Sequence, residues 1–233
     1  MVVDVILVPQ GAEHQAVRSG LSRIRGKLPI VVPIPVGMPA VKAYLQGWLQ
    51  GAIFSEQGQM RVVVMGLAGS LSPRYQIGDV VIYRDCLPFT ALSDLSQPSY
   101  PCDRALTEFL QRQLDRDMSI VNALTSDRVI HTAQEKQTLA QTSDAEVVDM
   151  EGAAILELLG EAGIAVAMLR VISDDCYHDL PDLSHAIRAD GTLHPTRMAL
   201  AMLRQPIAAF RLIRGSLKGL RVLREVTQVL FAP

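Results

Sequence analysis

The chain has 233 residues, enough for one large domain with a sizeable core, and its 49% apolar and 20% charged residues describe a folded globular protein, not a disordered one. A formal net charge of −2 gives no electrostatic reason to bind nucleic acid. Three widely spaced cysteines without a CxxC pair support neither a disulfide framework nor a zinc site, so a reducing cytoplasm is the expected compartment. The apolar start is broken by Asp4 and closes at Pro9, unlike a secretory signal, and no run of 18 apolar residues is present to cross a bilayer.

Val2 to Val8 reads as a short buried strand stopped by Pro9, and Glu13-His14 open a helix to about Leu21. Glu13 can complement the helix dipole or meet a ligand at the mouth of this strand–helix turn. Ile30 to Val36 is a second strand, made an edge or an irregular one by Pro33 and Pro35. Gly37 follows, where a ligand can approach the backbone closely, and then a helix from about Val41 to Phe54. Arg61 to Met65 is a central strand leading into Gly66-Leu-Ala-Gly-Ser-Leu71, read as a small-residue turn with backbone N–H groups for an oxygen-rich ligand. The turn lacks the lysine of a P-loop and the spacing of GxGxxG. Gly78-Asp79 turns into a strand at Val80 to Tyr83, where antiparallel pairing would make the sheet mixed.

The proline-rich stretch from Leu87 to Cys102 reads as an irregular flap. Asp103 to Leu114 is an amphipathic helix, Ile120 to Leu124 a strand entering Thr125 to Ile130, and Gln134 to Gln141 a short helix. Val147-Val-Asp-Met-Glu-Gly-Ala-Ala154 then runs from a strand into a helix ending near Gly160, and the strand Ile164 to Ile172 ends on Ser173-Asp174-Asp175. Two strand ends thus deliver carboxylates to one sheet edge, where open α/β sheets place their ligands and where paired carboxylates suit hydroxyl binding and proton donation. The same residues also fit a plain helix start with Asp149 and Glu151 complementing the dipole, followed by an Asp-Asp turn.

The chain closes with the turn Asp190-Gly191 and a long helical tail from about Pro195. The tail's last part, Phe210 to Phe231, sets Arg211, Arg214, Lys218, Arg221 and Arg224 among leucines and valines. Such a basic amphipathic helix either packs on the body with its cations solvated or lies on an anionic membrane. Alternating strands and helices predict an α/β three-layer sandwich: a central, mixed, mostly parallel sheet with helices on both faces, forming one domain over residues 1–233.

The order of these pieces resembles the purine nucleoside phosphorylase and methylthioadenosine/S-adenosylhomocysteine nucleosidase superfamily. The resemblance runs from about Val5 to Asp175 and is carried by Glu13, Gly66-Leu-Ala-Gly69, Val148-Asp-Met-Glu-Gly-Ala and Leu169-Arg-Val-Ile-Ser-Asp-Asp. Asp-Met-Glu in place of Glu-Met-Glu, Leu180-Pro181, the Ile187 to Gly191 turn and the basic tail are similar to the hopanoid-associated branch, which removes adenine from an adenosylated hopane.

The resemblance implies Asp174 as the general acid toward N7 of adenine and Glu13 as the residue that activates water. It implies Glu151 and Met150 at the ribose, and Ala68, Gly69, Val129, Ile130 and Ser173 around the base, with Ser173 orienting Asp174. Val129 stands where an aromatic stacker is common, so weaker stacking is expected. Ser70 and Gly37 are candidate anion contacts.

The family's phosphorylases carry a phosphate-binding arginine just before the Gly-rich turn, where this chain has Val64 and Met65, and that tilts the expectation toward hydrolysis. Arg18, Arg25, Arg61, Arg74 and Arg128 keep phosphate open as a co-substrate. No metal or organic cofactor is implied. A lipid-linked nucleoside predicts an apolar channel, walled by Leu87 to Pro101, whereas methylthioadenosine, S-adenosylhomocysteine or a futalosine-type nucleoside predicts a closed pocket. The rival class is a non-catalytic nucleoside-binding module. Family members form homo-oligomers, so a homo-oligomer is expected here too.

Overall fold

The computed structural model describes residues 2–51, 60–90, 97–114, 118–183, 186 and 194–232. Fifteen elements follow in chain order: β1 Val5–Pro9, α1 Ala12–Leu21, β2 Ile30–Ile34, α2 Met38–Gln50, β3 Arg61–Ser70, β4 Val80–Phe89, β5 Tyr100–Pro101, α3 Arg104–Gln113, β6 Ser119–Ser126, α4 Ala133–Ser143, β7 Val147–Asp149, α5 Gly152–Glu161, β8 Ala165–Asp174, α6 Pro195–Arg204 and α7 Pro206–Phe231. The expected α/β architecture holds, with one mixed, mostly parallel sheet between helical layers.

The sheet's two ends differ. Beyond β3 it is open, in the order β3, β1, β2, and proline-bearing β2 is the edge strand, as Pro33 requires. On the other side, β3 pairs with β8, β8 with β4, β4 with β6, β6 with β7, and β7 returns to the far end of β3. These five pairings close a ring. Val80 to Ile82 run antiparallel to β8, where a mixed sheet was expected. The strands read as continuous apolar runs because helices cover both faces. Val62 and Val64 of β3 point into one core cluster and Val63 and Met65 into the other, as the period of two demands.

Two sequence expectations need correction, and the helical tail gains a break. Gly66 to Ser70 is not a turn: β3 continues through it, paired residue for residue with β8 until a bulge at Ala68/Gly69. Leu87 to Phe89 is not the start of an irregular flap but the end of β4, and Tyr100–Pro101 returns as β5 against Asp85 and Cys86. The tail is two helices, broken where Pro206 begins α7. Residues 91–96 of the expected flap, the end of the second helix at Phe54 and the Ile187 to Gly191 turn lie outside the described residues.

α7 packs rather than floats. Gly215, Gly219, Leu223, Val226, Thr227 and Leu230 are buried, and Gly20 of α1 lets the two helices touch at Thr227. At Gly215 a Cβ would lie 2.1 Å from the Ser173 carbonyl oxygen, and at Gly219 one would lie 2.9 Å from a Leu67 methyl. The helix backbone therefore rests directly on the ends of β8 and β3, and its exposed side carries Arg211, Arg214, Lys218, Arg221 and Arg224.

Candidate active site

Carboxyl ends of parallel strands leave their last backbone groups unpaired, and the loops after them converge on one edge. Here α1 after β1 brings Glu13, β3 brings Leu67 to Gly69, the segment after β6 brings Arg128 to Ile130, the end of β7 brings Asp149 to Glu151, and β8 brings Ser173 and Asp174. Together they line a cavity of about 190 Å³, closed further by Pro9, Val36, Val148 and Leu180. Nine of the eleven residues anticipated from sequence line it: Glu13, Ala68, Gly69, Val129, Ile130, Met150, Glu151, Ser173 and Asp174.

Ser70 and Gly37 do not line it. The Ser70 hydroxyl is fully buried, donating to the Ser72 carbonyl at 2.7 Å and accepting from its amide. Gly37, at φ +92°, donates its amide to Glu151 Oε1 at 2.9 Å, so it orients a carboxylate instead of holding an anion. The backbone of the Gly-rich stretch is likewise engaged: the Leu67 amide donates to Glu13 Oε1 at 2.6 Å.

A buried arginine supports these acids. Arg170, pointing inward from β8, donates from Nη2 to Asp149 Oδ2 at 2.8 Å and lies 3.7 Å from Glu151 Oε2. Gly66 makes room for it: a Cβ there would stand 2.3 Å from Arg170 Nη1 and 2.8 Å from Glu13 Oε1. Asp149 Oδ1 accepts from the Thr125 hydroxyl at 2.7 Å and from the Gly152 amide at 3.1 Å, so this acid ties the first residue of α5 to Arg170. Burial alone would lower the Arg170 pKa, but Asp149, Tyr83, Glu151 and Glu13 outweigh it and hold the guanidinium charged.

Burial raises the Glu13 carboxyl to about 7, with the Leu67 amide and Arg170 opposing the shift. Glu151 is raised for the same first reason, opposed chiefly by Arg170. A carboxylate poised near neutrality is suited to taking a proton from water.

Asp174 is gripped at both oxygens. Ser173 Oγ donates to Oδ1 at 3.0 Å, and the ammonium of Lys136, from α4, donates to Oδ2. Lys136 is completely buried and also donates to the Asp175 carbonyl at 2.7 Å. Asp175 turns away, accepting the Tyr177 and His178 amides.

Sequence reading missed Lys136, since a lysine on a helix otherwise reads as surface, and it missed the role of Arg170 although the motif contained it. Of the five arginines weighed for phosphate, only Arg128 lines the cavity, and Glu135 takes its guanidinium through two contacts. Among the described residues, no group of three or more His, Cys, Asp or Glu side chains is placed to hold a metal.

The family model of the phosphorylase superfamily matches residues 6–204, spanning the strands that build the site and stopping at the end of α6. The chain belongs to the phosphorylase superfamily. With that membership goes the chemistry of an N-glycosyl-bond-cleaving enzyme, which the carboxylates of this superfamily member can serve without a cofactor.

Its fold is also that of solved structures at low sequence identity. The Helicobacter pylori 5′-methylthioadenosine/S-adenosylhomocysteine nucleosidase superposes with a TM-score of 0.69 at 15% identity, covering 97% of this chain and 96% of that one. Futalosine hydrolase of the same organism gives 0.71 at 15% identity, covering 99% and 97%. The Streptococcus pyogenes S-adenosylhomocysteine nucleosidase gives 0.67 at 16% identity, covering 99% and 97%. A search of curated proteins finds no match.

Proposed function

We propose that this superfamily member hydrolyses the N-glycosidic bond of a 5′-substituted adenosine and releases adenine. The observation that carries the reading is one cavity holding Glu13, Glu151 and Asp174 on three sides, with Arg170 beneath two of them. In this reading Asp174 protonates N7 so that the base leaves neutral. Glu151 accepts the ribose hydroxyls, and its charge favours the oxocarbenium-like sugar, while Glu13 takes a proton from the attacking water. Met150 packs on the ribose, and Val129 and Ile130 read the base edge.

Water is the favoured acceptor over phosphate. Arg128 is engaged by Glu135, and Arg170 is engaged by Asp149 below the cavity. A non-catalytic binding module would have no use for three acids in one cavity.

The favoured substrate within this class is a lipid-linked adenosine such as adenosylhopane, and the second reading is methylthioadenosine or S-adenosylhomocysteine, the substrates named for two of the similar structures. The tail supports the lipid reading. α6 buries none of its residues, and Leu203, Ile207, Phe210 and Leu217 are each 61–79% exposed. Residues 195–232 carry seven Arg/Lys and one Glu, against −2 for the whole chain, so the remainder carries −8. An exposed apolar strip beside a dense cationic one fits the surface of an anionic bilayer.

Vesicle cosedimentation tests this. Binding to phosphatidylglycerol-containing vesicles that fades with salt and is lost in Ile207→Ser/Phe210→Ser supports the reading. Absent binding, or a dimer that the same double variant dissolves, overturns it. A homo-oligomer is expected by the family resemblance, and sedimentation measures it.

The enzymatic reading is tested by adenine release from an adenosylated hopane and from methylthioadenosine, each with and without phosphate. Phosphate-independent release from the hopane is expected. A requirement for phosphate overturns hydrolysis, efficient release from methylthioadenosine alone overturns the lipid substrate, and no release from either overturns the enzyme.

A further inference from the structure

The departing base needs a proton, yet the geometry around Asp174 is that of a carboxylate. Oδ2 accepts from the Lys136 ammonium and Oδ1 from Ser173 Oγ, which also lies 3.3 Å from the Ala68 carbonyl oxygen. The lysine is no incidental surface partner: its side chain is fully buried, and its two acceptors are Asp174 Oδ2 and the carbonyl of Asp175. A buried ammonium is stable only when paired, and a neutral Asp174 would leave it facing one carbonyl. The ion pair as a whole holds one transferable proton, on the Lys136 ammonium.

We infer that Lys136 is the proton reservoir behind Asp174, a positioning residue that holds the resting carboxylate and supplies, through it, the proton taken by the leaving base. As the C1′–N9 bond breaks, its electron pair passes to the purine and N7 takes a proton relayed through Asp174. In the same step the Lys136 ammonium gives that proton to Asp174, which passes it on and stays a carboxylate, hydrogen-bonded to the neutral Lys136 amine. The attacking water forms the new C1′–O bond and gives its proton to Glu13, and exchange with solvent recharges Lys136 and discharges Glu13. Every atom balances, with water as the only co-reactant. The inference rests on Asp174 being the acid of the proposed hydrolysis.

The test compares Lys136→Met, Lys136→Arg and wild type on the nucleoside and on the matching 4-nitrophenyl riboside, whose nitrophenolate leaves without a proton. Arginine can keep the ion pair but does not give up its proton in proteins. Both variants are expected to lose about 100-fold or more in kcat for adenine release, in line with the usual contribution of general acid catalysis, with KM and riboside cleavage little changed.

Equal losses on both substrates would show a structural role, and no loss would show none. Full activity in Lys136→Arg would reduce the lysine to an electrostatic anchor. Any of these overturns the inference. Should Lys136→Met melt below the assay temperature, Lys136→Arg carries the comparison alone. Failure of the wild type itself to release adenine would instead sink the reading of the site.

Discussion

Glu13 makes the most specific statement at the scale of single residues. A carboxyl raised to about 7 must lose its proton to act as a base, so kcat/KM for adenine release should climb with pH and level off above about 7. Glu13→Gln should lose that limb together with most of the rate, by a factor of about 100 or more. A flat wild-type profile from pH 5 to 8 would contradict the assignment.

The acids were legible as types in a pattern: Glu13 after the first strand, Glu151 after Asp-Met, Asp174 after Ser173. Their partners were not. Arg170 and Lys136 are charged residues that the structure buries completely, and burial of a charge is decided by what other elements bring to it. No local pattern announces that α4 will place an ammonium on the end of β8, or that an arginine in an apolar strand will point at Asp149.

The elements were read well where periodicity speaks and poorly where small residues do. The apolar runs and helix faces gave the order of strands and helices, while Pro33 and Pro35 narrowed β2 to an edge or irregular strand. Gly66 to Gly69 was misread as a turn because glycine marks both turns and close approaches. Here the glycines of β3 exist to admit side chains: Arg170 and Glu13 crowd Gly66, and Asp174 Oδ2 would stand 2.8 Å from a Cβ on Gly69.

Gly66→Ala should therefore cut kcat/KM by at least about 10-fold, because its methyl meets the Glu13 carboxyl and the Arg170 guanidinium beneath it, and moving a reacting group by even 1 Å is costly. Unchanged kinetics would refute that reading. Gly215 of α7 offers a parallel check. A side chain there meets the Ser173 carbonyl, so Gly215→Val should lower the melting temperature and the activity together, and a variant with wild-type stability would show that α7 can shift freely.

The whole molecule carries the consequences of burying acids. Glu13 and Glu151 have native values raised above their ordinary 4.5, so between about pH 4.5 and 7 the native state binds more protons than the unfolded chain. Stability contributed by these groups is thus present at the acid end and lost as pH rises through that window. Melting temperature should fall from pH 5 to 7, and Glu13→Gln should flatten the slope. A steeper slope in the variant would reverse the sign and contradict the burial argument.

The closure of β3, β8, β4, β6 and β7 into a ring also belongs to this scale. It was not readable in the sequence, since strand partners far apart in the chain leave no local mark. Yet it is this closure that brings β7 across the end of β3, and with it Glu151 to the same cavity as Glu13 and Asp174.

The central claim is that this cavity breaks an N-glycosidic bond with Asp174 as the acid. Its most direct test is adenine release by Asp174→Asn in a single turnover, alongside nucleoside affinity by calorimetry. The account predicts turnover reduced by about 100-fold or more with affinity kept within a few-fold. Turnover at the wild-type rate would contradict it.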